Sequence, residues 1–425
     1  MNYFRLFLFL IIGCFISLNA ISQVKFKKSY YYTPVDTVSY HKIAHQTFIP
    51  LVKEYETPAF HNRGVYWFRL DILGHQILKK DLIINISNPN LDTVVLFQKV
   101  NGQLVPKDTS GNNFKLRDST YLRYSRFRVA ANTSSVWLKT KLKKEMVFPV
   151  SIQAVQRFNR SEHLNFFWLG LYYGFVMMVL AINITLYFSF KDFKFIYYSL
   201  FLALIALTFA YSDGLFVLLS RNKMWLNYAD LPVHLAVAIA GAIFATNFLE
   251  LNSYYRRLSW VGVSLALIML GCYAGHLIFG GAVVFFAGNI AGLLLLSLYW
   301  IAGLTRFKID VFARFFVFAY GLLLIFALDF FFFRTLGWKF LNLSPNELKL
   351  ASVMEMVVLS VAIIYRVKKL HQEHQYYRNE IQQYIQADQA LREETELNPS
   401  SSLAVQPDDL KNRFGLSERE TEVLN

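Results

Sequence analysis

At 425 residues, with 55% hydrophobic, 17% aromatic and only 17% charged side chains, the chain is too apolar for an ordinary soluble protein. Its length has room for a membrane bundle, one further domain and a short tail, which excludes a large catalytic domain beside them. The net charge of +14 is unevenly placed: Lys25 to Arg160 holds 14 Lys and 8 Arg against 9 acidic residues, a net +13. Such a field attracts acidic polymers or an anionic membrane surface. The two cysteines, Cys14 and Cys272, lie in apolar runs and cannot build a disulfide framework.

The chain opens with Arg5 before the apolar run Leu6–Ile16, followed by Ala20-Ile21-Ser22. This pattern reads as a secretory signal peptide over residues 1–22, with cleavage after Ser22. An uncleaved anchor is the alternative.

Residues 23–157 change texture to short runs rich in Val, Ile, Phe and Tyr. Tyr66-Trp67-Phe68-Arg69-Leu70-Asp71-Ile72 alternates, as does Asp81–Ile86. Val94–Val100, Asn101-Gly102 and Gln103-Leu104-Val105 read as a hairpin, because Asn-Gly supplies the positive φ of a tight primed turn. Several such strands at short spacing predict an antiparallel sandwich. In Val136–Lys143, side-chain alternation sets Trp137, Lys139, Lys141 and Lys143 on one face. An indole beside three ammonium groups can stack on a sugar ring and pair with a carboxylate or phosphate. Alternatively the lysines solvate a strand face and protect a sheet edge. Trp67 and Arg69 also share a face, as part of a ligand surface or packed under a loop.

Between residues 163 and 367 lie seven long apolar stretches. They are Phe166–Phe188, Phe195–Leu219, Pro232–Leu249, Leu258–Phe279, Gly281–Leu304, Ala313–Phe333 and Glu347–Val367. Each approaches or exceeds the ~20 residues a helix needs to cross a bilayer. Only helices or closed barrels satisfy their backbone in lipid, and runs this apolar are helices. A secreted amino terminus and seven spans put the tail in the cytoplasm and residues 23–157 outside the inner membrane. Lys191, Lys194, Arg256, Arg257, Arg306, Lys308, Arg314, Arg366, Lys368 and Lys369 then fall inside. Arg157, Arg160, Arg221, Lys223, Arg334 and Lys339 fall outside, the expected bias. Gly170 with Gly174, and Gly288 with Gly292, permit close helix contact within a bundle or between copies.

Ionisable residues in spanning helices cost about 2.5–3.5 kcal/mol at a helix centre, so each is a functional candidate. Glu355 lies deepest. Asp213, His234, His276, Asp329 and Lys349 fall near outer helix ends and could converge on an outward pocket. The alternative pairs Glu355 with a neighbour and leaves the others to interfacial water. Lys349 sits about one turn from its helix start, too far from the midplane for a retinal Schiff base.

Residues 368–397 are polar and free of Gly and Pro, and continue the seventh span as a cytoplasmic helix. Leu370, Tyr377, Tyr384 and Leu391 recur every seven residues, half of a heptad seam, which suggests a homodimer through 370–391. A single solvated helix is the other reading. A Pro/Ser-containing linker, 398–413, precedes Phe414–Asn425, where Ser417 and Glu420 form a capping box.

Gly170-Leu171-Tyr172-Tyr173-Gly174, Asn183, Leu186-Tyr187, Lys191–Tyr198 and Asp213-Gly214-Leu215 resemble the bacterial seven-transmembrane receptors with diverse intracellular signalling modules. Tyr66–Arg69, Ile86–Asp92 and Val136–Leu138 resemble that family's β-rich sensory domain. The resemblance implies a jelly-roll-like domain that takes carbohydrates or related small molecules, and a variable cytoplasmic output. Leu416–Leu424 looks like the opening of a LuxR-type helix-turn-helix domain over residues 414–425. The sequence ends within that domain's first helix, which suggests a fragment of a longer regulator. DNA is a partner only if the domain is completed.

The expectation is therefore a multi-domain membrane protein: an all-β sandwich, a seven-helix bundle and a helical tail. Its expected work is non-enzymatic reception of an acidic or carbohydrate-like ligand, without cofactor or metal. A transporter or membrane-embedded enzyme using Glu355 and the outer-end polar residues is the second reading.

Overall fold

The computed structural model describes residues 24–397, apart from 37–39, 52–57, 59–63, 74–80, 90, 112–122, 132, 143–147, 220–224 and 334–344. The expected signal peptide, the 398–413 linker and the 414–425 segment lie outside the described residues.

Among the described residues, nine strands form two antiparallel sheets. One has six strands: β1 (Phe26–Thr33), β2 (Ile49–Leu51), β3 (Val65–Ile72), β5 (Val94–Val100), β6 (Gln103–Ser110) and β8 (Ser135–Thr140). Their order is β2-β1-β3-β8-β5-β6. The other orders β7 (Ser125–Val129), β4 (Leu82–Ile86) and β9 (Val150–Ala154) as β7-β4-β9. The hairpin at Asn101-Gly102 is present, with φ of 50° and 84° at the two turn residues. Pro106 is tolerated in β6 because that strand is a sheet edge, where a missing N–H breaks no ladder.

Alternation builds the main core between the sheets. Tyr66, Phe68 and Leu70 of β3 and Val136 and Leu138 of β8 meet Leu82, Ile84 and Ile86 of β4 and Phe127 of β7. Phe68 stacks on Phe148 at 4.0 Å. The opposite face of the large sheet is also covered. Trp67 and Trp137 are 1% and 5% exposed, in a second small core with Phe97, Leu104 and Ile43 of a short helix, α1 (Tyr40–Ile43). Period-2 alternation assigned the indoles to the correct face. It could not show that this face is capped rather than wet.

Helix α2 (Val155–Phe190) follows β9 directly, eleven residues before the apolar stretch that announced it. After it come α3 (Lys194–Ser212), a short α4 (Leu215–Leu219), α5 (Asp230–Phe248), α6 (Arg256–Phe279), α7 (Ala282–Thr305), α8 (Val311–Ala327) and α9 (Pro345–Leu397). Among the described residues, six helical segments are long and apolar enough to cross a membrane, and α8 is a shorter apolar helix continued by a π-helical turn, Leu328–Phe333. The expected second span does not run unbroken to Leu219: it stops at Ser212, and Gly214 turns the chain at φ 72°. Asp310 caps α8 by accepting from the Phe312 N–H at 2.9 Å, satisfying an otherwise orphaned donor.

The two small-residue pairs differ. A Cβ on Gly288 or Gly292 would meet Tyr273 or Met269 of α6, so this pair packs helices within the bundle. A Cβ on Gly170 or Gly174 would meet open space. The part of α9 beyond Ile363 belongs to a separate unit, in which Tyr377, Ile381 and Tyr384 stand exposed.

Burial of the indoles has a measurable consequence. Trp67→Ala and Trp137→Ala are each expected to cost about 3–5 kcal/mol, as for other large core truncations. Thermal unfolding of the purified full chain reads this as a clear fall in Tm, whereas an exposed stacking platform would lose ligand affinity and leave Tm unchanged.

Candidate functional site

The most densely connected polar cluster lies where the sandwich meets the helices. It starts from β7 and the residues just before it. Arg123 is 4% exposed. Its Nη2 and Nε donate to Glu162 Oε1 of α2 at 2.8 and 3.1 Å, and its Nη1 donates to the Asp213 carbonyl at 3.3 Å. The guanidinium also lies 4.4 Å from the Phe166 ring centre. Arg126 donates to the same Glu162 oxygen at 2.8 Å and stands 4.6 Å over Phe158. Two cations on one carboxylate in partly dry surroundings make short, charge-assisted bonds, the strong class. Burial lowers the Arg126 guanidinium from its ordinary value, and the charge of Glu162 pushes it back up.

The same segment closes the end of α3. Tyr124 donates to the Ser212 carbonyl at 3.3 Å, next to the Arg123 bond to the Asp213 carbonyl. The last carbonyls of a helix lack intrahelical donors and carry its negative pole, so a guanidinium there is doubly favourable. The approach is close enough to dictate a residue. A Cβ at Gly214 would sit 2.5 Å from the Arg123 carbonyl oxygen, and its φ of 72° disfavours other residues.

Asp213 carries the network onward. Its carboxylate receives the Lys349 ammonium of α9 at 2.5 Å and the Tyr173 hydroxyl of α2 at 2.7 Å. Both members of the ion pair are buried. One turn along α9, Ser352 lies 3.3 Å from the Tyr172 hydroxyl. Hydrogen bonds thus join the sandwich, the first spanning helix, the end of α3 and the last spanning helix.

Of the polar residues expected to converge near outer helix ends, Asp213 and Lys349 do so. His234 lines a cavity and meets Phe331 edge-on at 5.5 Å. His276 Nδ1 lies 2.9 Å from the Gly281 carbonyl and helps close the turn between α6 and α7. Asp329 is buried in the π-helical turn. Glu355 is fully buried and, among the described residues, neither carboxylate oxygen has a hydrogen-bond partner, so the expected pairing with a neighbour is absent.

On the sandwich, the Trp67/Arg69/Trp137/Lys139 face exists in register, with Trp67 opposite Lys139 and Arg69 opposite Trp137. Its charged groups are ion-paired and partly exposed. Arg69 bonds Asp71 at 2.9 Å, and Lys139 pairs with Asp36 at 2.6 Å. Lys141 lies past the strand end, 3.6 Å from Asp36, and Lys143 is outside the described residues. Arg123, Arg126 and Glu162 escaped the sequence reading, and Tyr173 entered it only as part of the family resemblance. The one available signal was Arg123-Tyr124-Ser125-Arg126-Phe127-Arg128, three arginines around a strand alternation.

Removing one member of a buried ion pair strands the other. Lys349→Met is therefore expected to destabilise by about 3–5 kcal/mol, while Asp213→Asn/Lys349→Met recovers most of that loss. Thermal unfolding of the single and double variants checks the sign of the coupling.

The comparisons agree with this layout. Residues 165–366 match the family model described as 7TM diverse intracellular signalling, and residues 28–154 match the one described as 7TMR-DISM extracellular 2. No curated protein matches the chain. The first match covers the helices and the second the sandwich, which places the sandwich outside the cell membrane that the helices cross. The two matches together support the seven-transmembrane, diverse-intracellular-signalling receptor type for this chain.

Proposed function

We propose that the protein is a non-enzymatic sensory receptor in which a ligand-dependent change of the sandwich is passed to α9 through Arg123. The observation that carries this reading is the single buried guanidinium bonded at once to Glu162 of α2 and to the end of α3, where Asp213 holds Lys349. A shift of β7 relative to α2 cannot leave both bonds in place, because the two partners belong to different helices. The displaced Asp213 then biases the start of α9, whose far end is the 368–397 helix. In the proposed receptor that helix pairs with a second copy on the cytoplasmic side. It feeds a LuxR-type DNA-binding output begun at residues 414–425.

The ligand belongs on a surface other than the buried indoles. Most of the chain's excess positive charge falls within residues 25–160, which favours an acidic or carbohydrate-like molecule. Glu355 favours the transporter reading only by its isolation: no described hydrogen bond links it to the Asp213–Lys349 pair.

Two measurements test the relay. Hydrogen exchange on the full chain in nanodiscs is expected to show faster exchange over 345–352 in Arg123→Ala, with the sandwich core strands unchanged. Unchanged exchange there would remove the relay. In a background without Cys14 and Cys272, a cysteine at exposed Tyr384 is expected to cross-link between copies, at a rate that Arg123→Ala alters severalfold. Absence of any cross-link would remove the dimer, and an unaltered rate would remove its coupling to the sandwich.

A further inference from the structure

The end of the bundle away from the sandwich carries a basic surface that the relay leaves unused. Arg123 meets the end of α3, so Lys194 at the start of α3 lies at the far end, where it pairs with Glu250 at 2.5 Å. Glu250 opens the turn between α5 and α6. The turn between α7 and α8 is joined to it. Tyr255 donates to Thr305 Oγ1 at 3.1 Å, and the Arg306 guanidinium lies 3.5 Å over the Tyr254 ring centre. Residues 250–257 and 306–314 together hold Arg256, Arg257, Arg306, Lys308 and Arg314 against Glu250 and Asp310, a net +3.

An excess of positive charge facing the cell interior is common in membrane proteins and needs no particular geometry. These turns have one. Both acidic residues are engaged, Glu250 with Lys194 and Asp310 as the cap of α8. Arg314 is engaged too, its Nε and Nη2 donating to the Phe307 and Lys308 carbonyls at 3.1 and 3.3 Å. That clamp fixes the second turn, while contact with Tyr254 fixes Arg306. Arg257 and Lys308 are exposed and make no ion pair among the described residues. Next to Lys308, Ile309 is 80% exposed, an apolar side chain that a bias of charge does not call for.

A partner for this surface must offer a negative group to Arg306 and Lys308 and an apolar body to Ile309. A soluble polyanion lacks the second. A membrane leaflet supplies both within a few ångströms, phosphates in the headgroup layer and acyl chains just beneath. We propose that the two turns bind the phosphate of an anionic glycerophospholipid in the leaflet away from the sandwich, with Ile309 against its acyl chains. Guanidinium and ammonium groups both suit a phosphate acceptor. The site lies at the opposite end of the bundle from Arg123 and does not depend on the relay reading.

Native mass spectrometry of the full chain, released from detergent micelles with added phosphatidylglycerol or phosphatidylcholine, tests this. A saturable preference for phosphatidylglycerol is expected. Two cations near an anionic surface account for about thirtyfold in affinity, so Arg306→Gln/Lys308→Gln is expected to weaken phosphatidylglycerol by that factor and leave phosphatidylcholine unchanged. Ile309→Ser is expected to weaken both lipids severalfold. Lys368→Gln/Lys369→Gln removes the same charge beside the last span and should change neither. Circular dichroism confirms the fold, and exposed Lys308→Glu repeats the test should the double variant unfold. Equal binding of the two lipids, a preference that survives loss of the turn cations in folded protein, an equal loss in the Lys368/Lys369 control, or no effect of Ile309→Ser would each overturn the site. Displacement of phosphatidylglycerol by inorganic phosphate would overturn the lipid as its occupant.

Discussion

Burying the Arg123 guanidinium at the foot of the sandwich constrains everything around it. A charge that far from water must find acceptors. The acceptors come from the helices: the carboxylate of Glu162 and the carbonyl that ends α3. Meeting both fixes the junction. The sandwich must abut α2 within its first two turns, which is why the helix starts directly at the end of β9. The second apolar stretch must break at Ser212, so that its last carbonyls face Arg123 and Tyr124. Gly214 must follow, because a side chain there would strike the Arg123 backbone.

Much of the scaffold was legible in the sequence, for identifiable reasons. Lipid forbids unpaired backbone, so long apolar runs could only be helices, and seven apolar helical segments are present. Asn101-Gly102 marked its hairpin because few other pairs tolerate two positive φ values. The cost of a charge in a spanning segment singled out Asp213 and Lys349, which lie 136 residues apart yet bond each other. Arg123 was not legible. Its partners lie 39 and 90 residues away, and a surface arginine is too common to stand out. The surroundings of the indoles stayed open for a related reason: alternation fixes a face but not what covers it, and Ile43 of a helix outside the sheet packs on this one.

The two kinds of buried charge in the bundle illustrate different energetics. Asp213 and Lys349 bring opposite charges together with Tyr173 as a further donor, the arrangement that offsets desolvation. Glu355 has none of this among the described residues, and its carboxyl shares an electrostatic environment with the phenols of Tyr172, Tyr198 and Tyr320. A carboxyl this deep without a partner is costly to bury.

Lys349, Ser352 and Glu355 lie three residues apart, so each successive side chain steps about 60° round α9 and Glu355 points about 120° from Lys349. The first two are bonded to neighbouring helices, Lys349 to Asp213 and Ser352 to Tyr172 of α2. Tyr172 and its neighbour Tyr173 therefore hold successive turns of the same helix, one directly and one through Asp213. A helix tied at two successive turns resists rotation, because turning it breaks both ties at once. Tilting it about the inner end would loosen the Lys349 tie first. In the proposed receptor this favours a tilt over a twist as the motion that Arg123 can trigger, since Arg123 bonds the Asp213 carbonyl and Asp213 holds Lys349.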